Sequence, residues 1–274
     1  MQTILIATDF SEPAQNAADY AIALAGFLAA RTILVHVYKD PFSGPGISDP
    51  AKNSALLKSE LSSRLAEEKD RLIKTAAIQP DLTALVAEGD PAEVIGSLCS
   101  REGVDLVVAG MEGASGILKK YILGSTALTL SEKLVVPTLL VPFSCRFNKI
   151  RSITFACDLD FEEGSSVLLS AKALAANFDA SLEILNVRVG LGEREYVSEE
   201  LQVYIDEKLD GIEHSTMLIH NDNPVHSLIK YLNAASTDLV LLHPKKHNLF
   251  KRLLRSGVTE KLVYEVKLPM LLIR

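Results

Sequence analysis

The chain has 274 residues, of which 48% are apolar and 23% charged, and its formal net charge is −7. This apolar fraction supplies enough buried surface to offset the entropy of ordering the chain, which excludes disorder over most of its length. The acidic balance argues against nucleic acid as a partner, because general binding needs basic residues that displace counterions from phosphates. A membrane span is also excluded, because no apolar run approaches the roughly 20 residues that it requires.

The cysteines and the N-terminus both point to a reducing compartment. Cys99, Cys145 and Cys157 are odd in number and lack C-x-x-C spacing, so we expect three small buried hydrophobic residues instead of disulfides or zinc ligands. Met1 leads almost directly into an apolar strand, without the basic segment and cleavage site of a secretion signal. A cytoplasmic location is therefore predicted.

Short apolar runs alternate with segments of helical periodicity. In the first half, this pattern predicts strands at about 3–7, 32–38, 82–87, 104–109 and 137–141, with helices at about 12–30, 51–78, 91–101 and 120–134. Nearly continuous Val, Ile and Leu runs are typical of parallel strands buried on both faces. Ser11 is a candidate N-cap for the first helix, and the Pro- and Gly-rich segment 40–50 is expected to be an irregular, mobile loop.

The second half repeats the blocks of the first half in the same order and at a nearly constant offset. The matching blocks are ILIATDFSE and ITFACDLDFEE (4–12, 153–163), LVHV and ILNV (34–37, 184–187), GDPAEVIGSL and DNPVHSLIKYL (89–98, 222–232), VDLVVAG and TDLVLLH (104–110, 237–243), and VPTLLV and LPMLLI (136–141, 268–273). The chain is therefore predicted to be a tandem duplication with domains at 1–144 and 149–274. The expected fold class is α/β, with two doubly wound domains, each a parallel sheet flanked by helices.

Candidate binding residues follow the first two strands. Ligands of open parallel sheets bind at the carboxyl ends of the strands, where the strand order reverses. Ala7, Thr8 and Asp9 end the first strand, and the Asp9 carboxylate is suited either to hold a ribose hydroxyl or to order the turn before the helix. Val37, at the end of the second strand, either contacts a base or is simply a core residue.

A glycine-rich stretch follows the fourth strand and reads GMEGASGILKKYILGST at 110–126. It has four glycines within 15 residues, and two hydroxyl residues open the following helix: Gly110, Gly113, Gly116, Gly124, Ser125 and Thr126. Glycines let backbone amides approach an anion, and a helix N-terminus adds positive partial charge, so the stretch suits a di- or triphosphate. The alternative is a loop that needs glycine only for its turns. No Gly-Lys-Ser/Thr closes the stretch, so it is not a Walker A loop.

Several of these segments resemble the universal stress protein family. They are ATD at 7–9, HV at 36–37, GDP at 89–91 and the glycine-rich stretch, and the resemblance covers both halves. It implies a five-stranded parallel sheet of order 3-2-1-4-5 in each domain, with dimerisation through the last strand. Here the two halves would make that pairing within one chain, as an intramolecular pseudo-dimer, and a further homodimer and an unknown protein partner stay open.

The same resemblance implies an ATP site in the first domain. One branch of the family binds ATP through a G-x2-G-x9-G-S/T loop, and another branch lacks the loop and does not bind nucleotide. Carried onto this sequence, Ala7, Thr8, Asp9 and Val37 would surround adenine and ribose, and the phosphate side, with or without Mg, would comprise Gly110, Glu112, Gly113, Gly124, Ser125 and Thr126.

The loop departs from the family pattern in its spacing. Ten residues separate Gly113 from Gly124, where the pattern has nine. Either Gly116 or a local helix bulge absorbs the extra residue, or the Gly124 and Ser125 amides are displaced and the phosphate contacts weaken.

The second half has lost the glycine pattern. His243 and Lys246 stand for the first two glycines and Ser256 for the third, while Asp158 keeps the strand-end acid. Bulky side chains then occupy positions where the backbone would have to touch phosphate, so the second domain is predicted not to bind ATP in this way.

A basic cluster replaces the glycines in the second half. It comprises Lys245, Lys246, Lys251, Arg252 and Arg255, and it forms either an anion or partner site or, as we favour, the solvated face of an amphipathic helix. His243 and His247 have the i, i+4 spacing of metal ligands, but no acidic or Cys ligand is near in sequence, so we favour an ordinary loop pair.

The sequence therefore predicts a stress-response regulatory protein that binds ATP in its N-terminal domain. Two alternatives stay open: a nucleotide-independent dimerisation or interaction scaffold, and a weak ATP hydrolase. No catalytic set stands out by its spacing, so we expect at most slow ATP hydrolysis.

Overall fold

The computed structural model describes residues 1–42, 49–111, 129–130, 133–157, 164–188, 198–221, 223–243 and 265–273. These residues fall into two compact units, the first ending at Phe147 and the second beginning at Asn148. Within the described ranges, no helix is both long and apolar enough to cross a bilayer.

The first unit contains a parallel sheet. Its described strands are β1 (Thr3–Ala7), β2 (Arg31–Tyr38), β3 (Leu82–Glu88), β4 (Leu106–Met111) and β5 (Thr138–Pro142). They lie in the order β3-β2-β1-β4-β5 and pair with one another in parallel, which confirms the fold class predicted from the sequence. Each observed strand begins and ends within two residues of its predicted bounds.

Helices pack against this sheet and begin as their sequences indicate. The described helices are α1 (Glu12–Leu28), α2 (Pro50–Thr75) and α3 (Pro91–Glu102). The Ser11 hydroxyl accepts a hydrogen bond from the Ala14 amide, which confirms the predicted N-cap of α1. Most of the helix predicted at 120–134, and part of the loop predicted at 40–50, lie outside the described residues.

Helix α1 is rich in alanine and lies against β1, β4 and β5. Its small side chains let the helix approach the sheet closely, as interior packing requires; the buried ones include Ala14, Ala17, Ala18, Ala21 and Ala25. The side-chain amide of Asn16 donates hydrogen bonds from Nδ2 to the carbonyl oxygens of Pro142 and Cys145, both at 3.0 Å, and so holds the end of β5 against the helix.

The second unit has the same architecture. Its described strands are β6 (Ser152–Ala156), β7 (Ser181–Arg188), β8 (His214–His220), β9 (Leu239–Leu242) and β10 (Met270–Leu272), and they lie in the order β10-β9-β6-β7-β8. This is the strand order of the first unit, read from the other side. The described helices are α4 (Gly164–Phe178), α5 (Glu199–Leu209) and α6 (Pro224–Ala234).

One hydrogen-bonding motif shows the repeat in atomic detail. An oxygen of Asp105 accepts hydrogen bonds from the backbone amides of Gln2 and Thr3, at 2.6 and 3.1 Å. An oxygen of Asp238 accepts the corresponding bonds from the amides of Arg151 and Ser152, at 2.8 and 3.1 Å. The two aspartates therefore hold the start of β1 and of β6 in the same way, and they fix the correspondence between the two units.

The cysteines agree with the sequence prediction at two of three positions. Cys99 and Cys157 are buried, as expected of small hydrophobic residues. Cys145 is only partly buried, so the prediction of a buried residue is wrong there. The reason is its position just after the end of β5, where the chain leaves the sheet.

Candidate functional site

The strand order of the first unit places a switch point beside β1. From β1 the chain continues to β2 and β3, which lie on one side of β1 within the sheet. It then crosses to β4, which lies on the other side of β1. Ala7 accordingly pairs with Val35 of β2 and with Ala109 of β4. The carboxyl ends of these strands form the edge at which open α/β sheets bind their ligands.

Thr8 anchors the loop that leaves β1 at this edge. Its amide donates to the carbonyl oxygen of Val35, its carbonyl oxygen accepts from His36 Nδ1, and its hydroxyl accepts from the Phe10 amide, at 2.9, 2.8 and 3.1 Å. Thr8 is also buried. All of its polar groups are thus engaged within the protein, which makes it a residue that positions the loop.

Asp9 orders the turn, which is one of the two roles considered from the sequence. One carboxylate oxygen accepts the Ser11 amide at 3.0 Å and so orders the turn before α1. The side chain nevertheless stays exposed. A carboxylate has about four lone-pair sites, so Asp9 keeps acceptor capacity for a ligand hydroxyl.

Phe10, which was not predicted as a site residue from the sequence, shapes the same loop. Its φ is +65°, a left-handed conformation that is uncommon for an aromatic residue. The buried ring lies 4.4 Å from the His36 ring and 4.4 Å from the Arg64 guanidinium carbon, which adds a cation–π contact. An aromatic residue directly after the strand-end acid was the available signal.

Gly110 brings the first turn of α1 against the end of β4. A Cβ on Gly110 would lie 2.3 Å from the Pro13 carbonyl oxygen and 2.8 Å from the Ala14 amide nitrogen. The packing of α1 on β4 is therefore sufficient to require glycine at this position. The same contact sets the N-terminus of α1, with its positive partial charge, beside the start of the glycine-rich stretch.

Ala7 and Val37 are accessible at this edge. Both are only partly buried, whereas Ile6 and Val35 are fully buried. Their side chains therefore offer apolar surface at the carboxyl ends of β1 and β2. Ala7, Thr8, Asp9, Val37 and Gly110 all lie along one edge of the sheet.

The remaining predicted contacts of the ATP site, namely Glu112, Gly113, Gly124, Ser125 and Thr126, lie outside the described residues, as does Gly116. In the second unit the same holds for Asp158 and for the replacement loop with its basic cluster, His247 and Ser256. His243 is described and partly buried, with Nδ1 3.1 Å from the Ile273 carbonyl oxygen. Among the described residues, no group of three or more His, Cys, Asp or Glu side chains is placed to hold a metal ion.

The segment Gly89-Asp90-Pro91 forms the turn into α3 and its N-cap, which explains these residue types structurally. Gly89 adopts a φ of +140° in the turn between β3 and α3, and Asp90 caps α3 by accepting the Ala92 amide at 3.1 Å. Desolvation opposes the charge on Asp90, but the amides of Ala92 and Glu93 and the ammonium of Lys39 outweigh it and hold the pKa of Asp90 below its usual value.

These observations define a doubly wound α/β domain with its candidate ligand edge at the switch point. The model of the universal stress protein family matches residues 1–142. Since the match spans more than half of the chain, this chain belongs to the universal stress protein family.

Relatives match about half of the chain in sequence, and a solved structure matches nearly all of it in fold. A universal stress protein from Thermus aquaticus is 33% identical over 140 residues, which cover 51% of this chain and 98% of that protein. One from Methanocaldococcus jannaschii is 29% identical over 151 residues, covering 50% and 93%. The crystal structure of a universal stress protein from Archaeoglobus fulgidus covers 99% of this chain and 98% of its own, with a TM-score of 0.75 and 17% identity. At this identity the likeness shows the fold alone, and it extends through both units.

Proposed function

We propose that this chain is a cytoplasmic regulatory protein of the stress response whose first unit binds ATP at the carboxyl edge of β1, β2 and β4. The observation that carries the proposal is the switch point, which brings Asp9 and Gly110 to one edge of the sheet. The glycine-rich stretch 110–126 begins there. A site of this kind is where doubly wound sheets bind nucleotides.

The chemistry of the edge suits the three parts of ATP. Ala7 and Val37 provide partly buried apolar surface for the base. The exposed Asp9 carboxylate is available for the ribose hydroxyls, and its hydrogen bond to Ser11 fixes its position. The N-terminus of α1 beside Gly110 favours the negative charge of the phosphates. Mg, where it accompanies ATP, is held chiefly by phosphates and water with one or two carboxylates.

An Asp9→Asn variant tests this assignment. The amide oxygen of Asn still accepts the Ser11 amide, so the turn is kept while the carboxylate is lost. In calorimetric titrations of the full chain with ATP, we expect saturable binding by the unsubstituted protein and at least a tenfold weaker Kd for Asp9→Asn.

Asp158→Asn is the matched control, because Asp158 is the strand-end acid of the second half. We expect it to leave the ATP affinity unchanged. Equal affinity of Asp9→Asn and the unsubstituted protein would place the nucleotide elsewhere. Unchanged thermal unfolding of the unsubstituted protein at millimolar ATP would overturn the proposal, since a ligand that binds the folded state raises its stability.

The second candidate function is a scaffold that does not bind nucleotide. Two observations favour it: the ten residues between Gly113 and Gly124, and the loss of the glycine pattern after β9. Deletion of one residue between Gly113 and Gly124 separates the candidates. A tighter ATP complex after the deletion would identify the extra residue as the feature that turns this chain toward the scaffold role.

A further inference from the structure

The second unit contains a cavity of about 310 Å³ at the amino-terminal edge of its sheet. This is the edge opposite to the one at which doubly wound sheets bind nucleotides. The starts of β6, β7 and β8 and the end of α6 line the cavity, through residues that include Ser181, Glu183, His214, Tyr231 and Thr237. Its volume is at the lower end of the range for small-molecule sites, roughly 300–1,000 Å³.

A hydrogen-bonded polar network forms one wall of the cavity. The two oxygens of Glu183 accept hydrogen bonds from the Tyr231 hydroxyl at 2.5 Å and from the Thr154 hydroxyl at 3.1 Å. The hydroxyl oxygens of Thr154 and Thr237 lie 2.7 Å apart. Burial, followed by the hydrogen bond and charge of Glu183, raises the pKa of Tyr231, so its hydroxyl stays a donor.

The first unit has apolar side chains where this network lies. Leu5 pairs with Ile33 across β1 and β2, and Thr154 pairs with Glu183 at the same place in β6 and β7. Leu5 and Ile33 are buried hydrophobic residues of the core. A pair that is apolar in one unit has therefore become a hydroxyl and a carboxylate in the other.

The other two members of the network follow the same rule. Leu98 and Tyr231 occupy the same place in the helices that begin with Pro91 and Pro224. Likewise, the residues that directly precede Asp105 and Asp238 in the sequence are Val104 and Thr237. Leu98 and Val104 are both buried hydrophobic residues.

Four coordinated replacements of this kind need an explanation beyond the fold. Burying polar groups is unfavourable unless each one is hydrogen-bonded, and the first unit builds the same sheet with apolar groups. The Glu183 carboxylate uses two of its roughly four acceptor sites within the network. It is only partly buried, so the remaining acceptor sites are open to a ligand in the cavity.

The carboxylates around the cavity favour a cation. Glu183 and Glu213 line it, and the described residues of its lining include neither lysine nor arginine. The C-terminal end of α6, where Ala235 is the C-cap, adds the negative partial charge of a helix C-terminus. His214 is held by other groups, since Nε2 lies 3.0 Å from an Asp206 oxygen and Nδ1 lies 3.0 Å from the Ile212 carbonyl oxygen.

An organic cation fits better than a metal ion. The described residues contain no cluster of three or more ligating side chains, which a bare divalent ion would require. An ammonium group carries three donors and no acceptor, which suits a carboxylate surrounded by hydroxyl oxygens. We propose that this cavity is a second ligand site, in which Glu183 is the counter-ion of a small aliphatic primary amine or diamine.

Binding of 1,4-diaminobutane to the full chain tests the proposal. We expect saturable binding by calorimetry or ligand-observed NMR, weakened at least tenfold by Glu183→Gln. Glu207→Gln is the matched control, because it makes the same change of charge at an exposed position of α5 that does not line the cavity. It should leave the Kd within about twofold, which is less than 0.5 kcal/mol.

A second variant keeps the test valid if Glu183→Gln unfolds. Replacing the network by the residues of the first unit (Thr154→Leu, Glu183→Ile, Tyr231→Leu and Thr237→Val) should give a folded protein that does not bind the amine. The proposal would be overturned if this variant, or folded Glu183→Gln, bound the amine as tightly as the unsubstituted protein does. It would also be overturned by the absence of saturable binding up to about 10 mM, or if sodium chloride competed for the site as effectively as the amine itself. Asp9→Asn should leave amine binding unchanged, so this site and the ATP site succeed or fail separately.

Discussion

Gly110 and Pro13 approach so closely that no side chain fits between them. A Cβ on Gly110 would lie 2.3 Å from the Pro13 carbonyl oxygen, well inside any real contact of that kind. The glycine therefore serves the packing of α1 on β4 whether or not a nucleotide binds beside it. A substitution at Gly110 cannot separate these two roles, which is why the ATP site is tested at Asp9.

Gly110→Ala should destabilise the protein. The added methyl group meets backbone atoms of Pro13 and Ala14, which cannot rotate away as a flexible side chain would, so α1 must shift from the sheet. Overpacking of this kind costs about 1–3 kcal/mol, and we expect the upper part of that range. The free energy of unfolding from urea titration measures the effect.

Gly96→Ala is the matched control for this prediction. A Cβ on Gly96 would lie 3.5 Å from Leu134, an ordinary contact, and Gly96 lies within α3. Since alanine favours a helix over glycine by about 1 kcal/mol, Gly96→Ala should leave stability unchanged or raise it. If Gly110→Ala were as stable as Gly96→Ala, the prediction would be wrong, and α1 would lie farther from Gly110 of β4 than the structure shows.

At this edge of the sheet, the strands could be predicted from the sequence, but the packing role of Gly110 could not. The strands were predictable because their Val, Ile and Leu runs are buried on both faces, and the repeat supplied the second copy of the pattern. The sequence does not show, however, whether a glycine makes room for a phosphate or for a neighbouring helix, because both roles require only that the residue lacks a Cβ. Phe10 is visible in the sequence as an aromatic residue after the strand-end acid, but its left-handed turn is not, and its ring contacts His36 and Arg64, which are distant in sequence.

The polar network of the second unit was present in the sequence as a contrast between copies. Glu183 stands in β7 between the buried residues Leu182 and Ile184, at the position of Ile33 in the repeat. Hydrophobic patterning assigns such a residue to a strand but does not indicate its partners. Its hydroxyl neighbours come from another strand and from α6, and only the fold brings them together.

Arg71 joins α1 and α2, and we expect Arg71→Met to destabilise the protein by about 2–3 kcal/mol. The guanidinium makes two 2.9 Å hydrogen bonds to Glu68 and one to Asp19. The Glu68 side chain is only 6% exposed, so its charge would be left without a partner. The figure is below that for a fully buried pair because Arg71 itself is one-third exposed to solvent, at 34%.

Arg101→Met provides the comparison for Arg71→Met. Arg101 pairs with Glu102 at 3.0 Å, but its side chain is 67% exposed. Exposed pairs contribute about 0–1 kcal/mol, so this variant should unfold close to the unsubstituted protein in urea. The double variant Arg71→Met with Glu68→Gln should recover part of the loss, because it removes the unpaired charge. No recovery would assign the effect of Arg71 to lost packing.

The thiols should react slowly in the folded protein. Burial raises the pKa of Cys99 to about 11, and burial likewise raises the pKa of Cys145 to about 11, with Arg146 opposing it. Only the thiolate attacks a disulfide reagent, so at pH 8 the folded protein should react far more slowly than the same protein in denaturant, where all three cysteines are free to react. A Cys145 that reacted as fast folded as unfolded would contradict the effect of its burial.

Asp206 should contribute to the free energy of unfolding at neutral pH, and this contribution should be lost in acid. Hydrogen bonds from His214 at 3.0 Å and from Gln202 at 2.7 Å outweigh the small cost of burial and lower the pKa of Asp206. A carboxyl group whose pKa is lower in the folded state stabilises the protein above its unfolded pKa of about 3.9. That contribution falls away as the pH drops through the folded value.

The Asp206→Asn variant should therefore lose less stability than the unsubstituted protein between about pH 5 and pH 2. The difference will be small, because the Asp206 side chain is 54% exposed and solvent screens the interaction. Carbon NMR of the Asp206 carboxyl group gives a direct readout. Its pKa should rise in His214→Gln, since His214 is the largest cause of the lowered value. An unchanged titration in that variant would assign the shift to Gln202 instead.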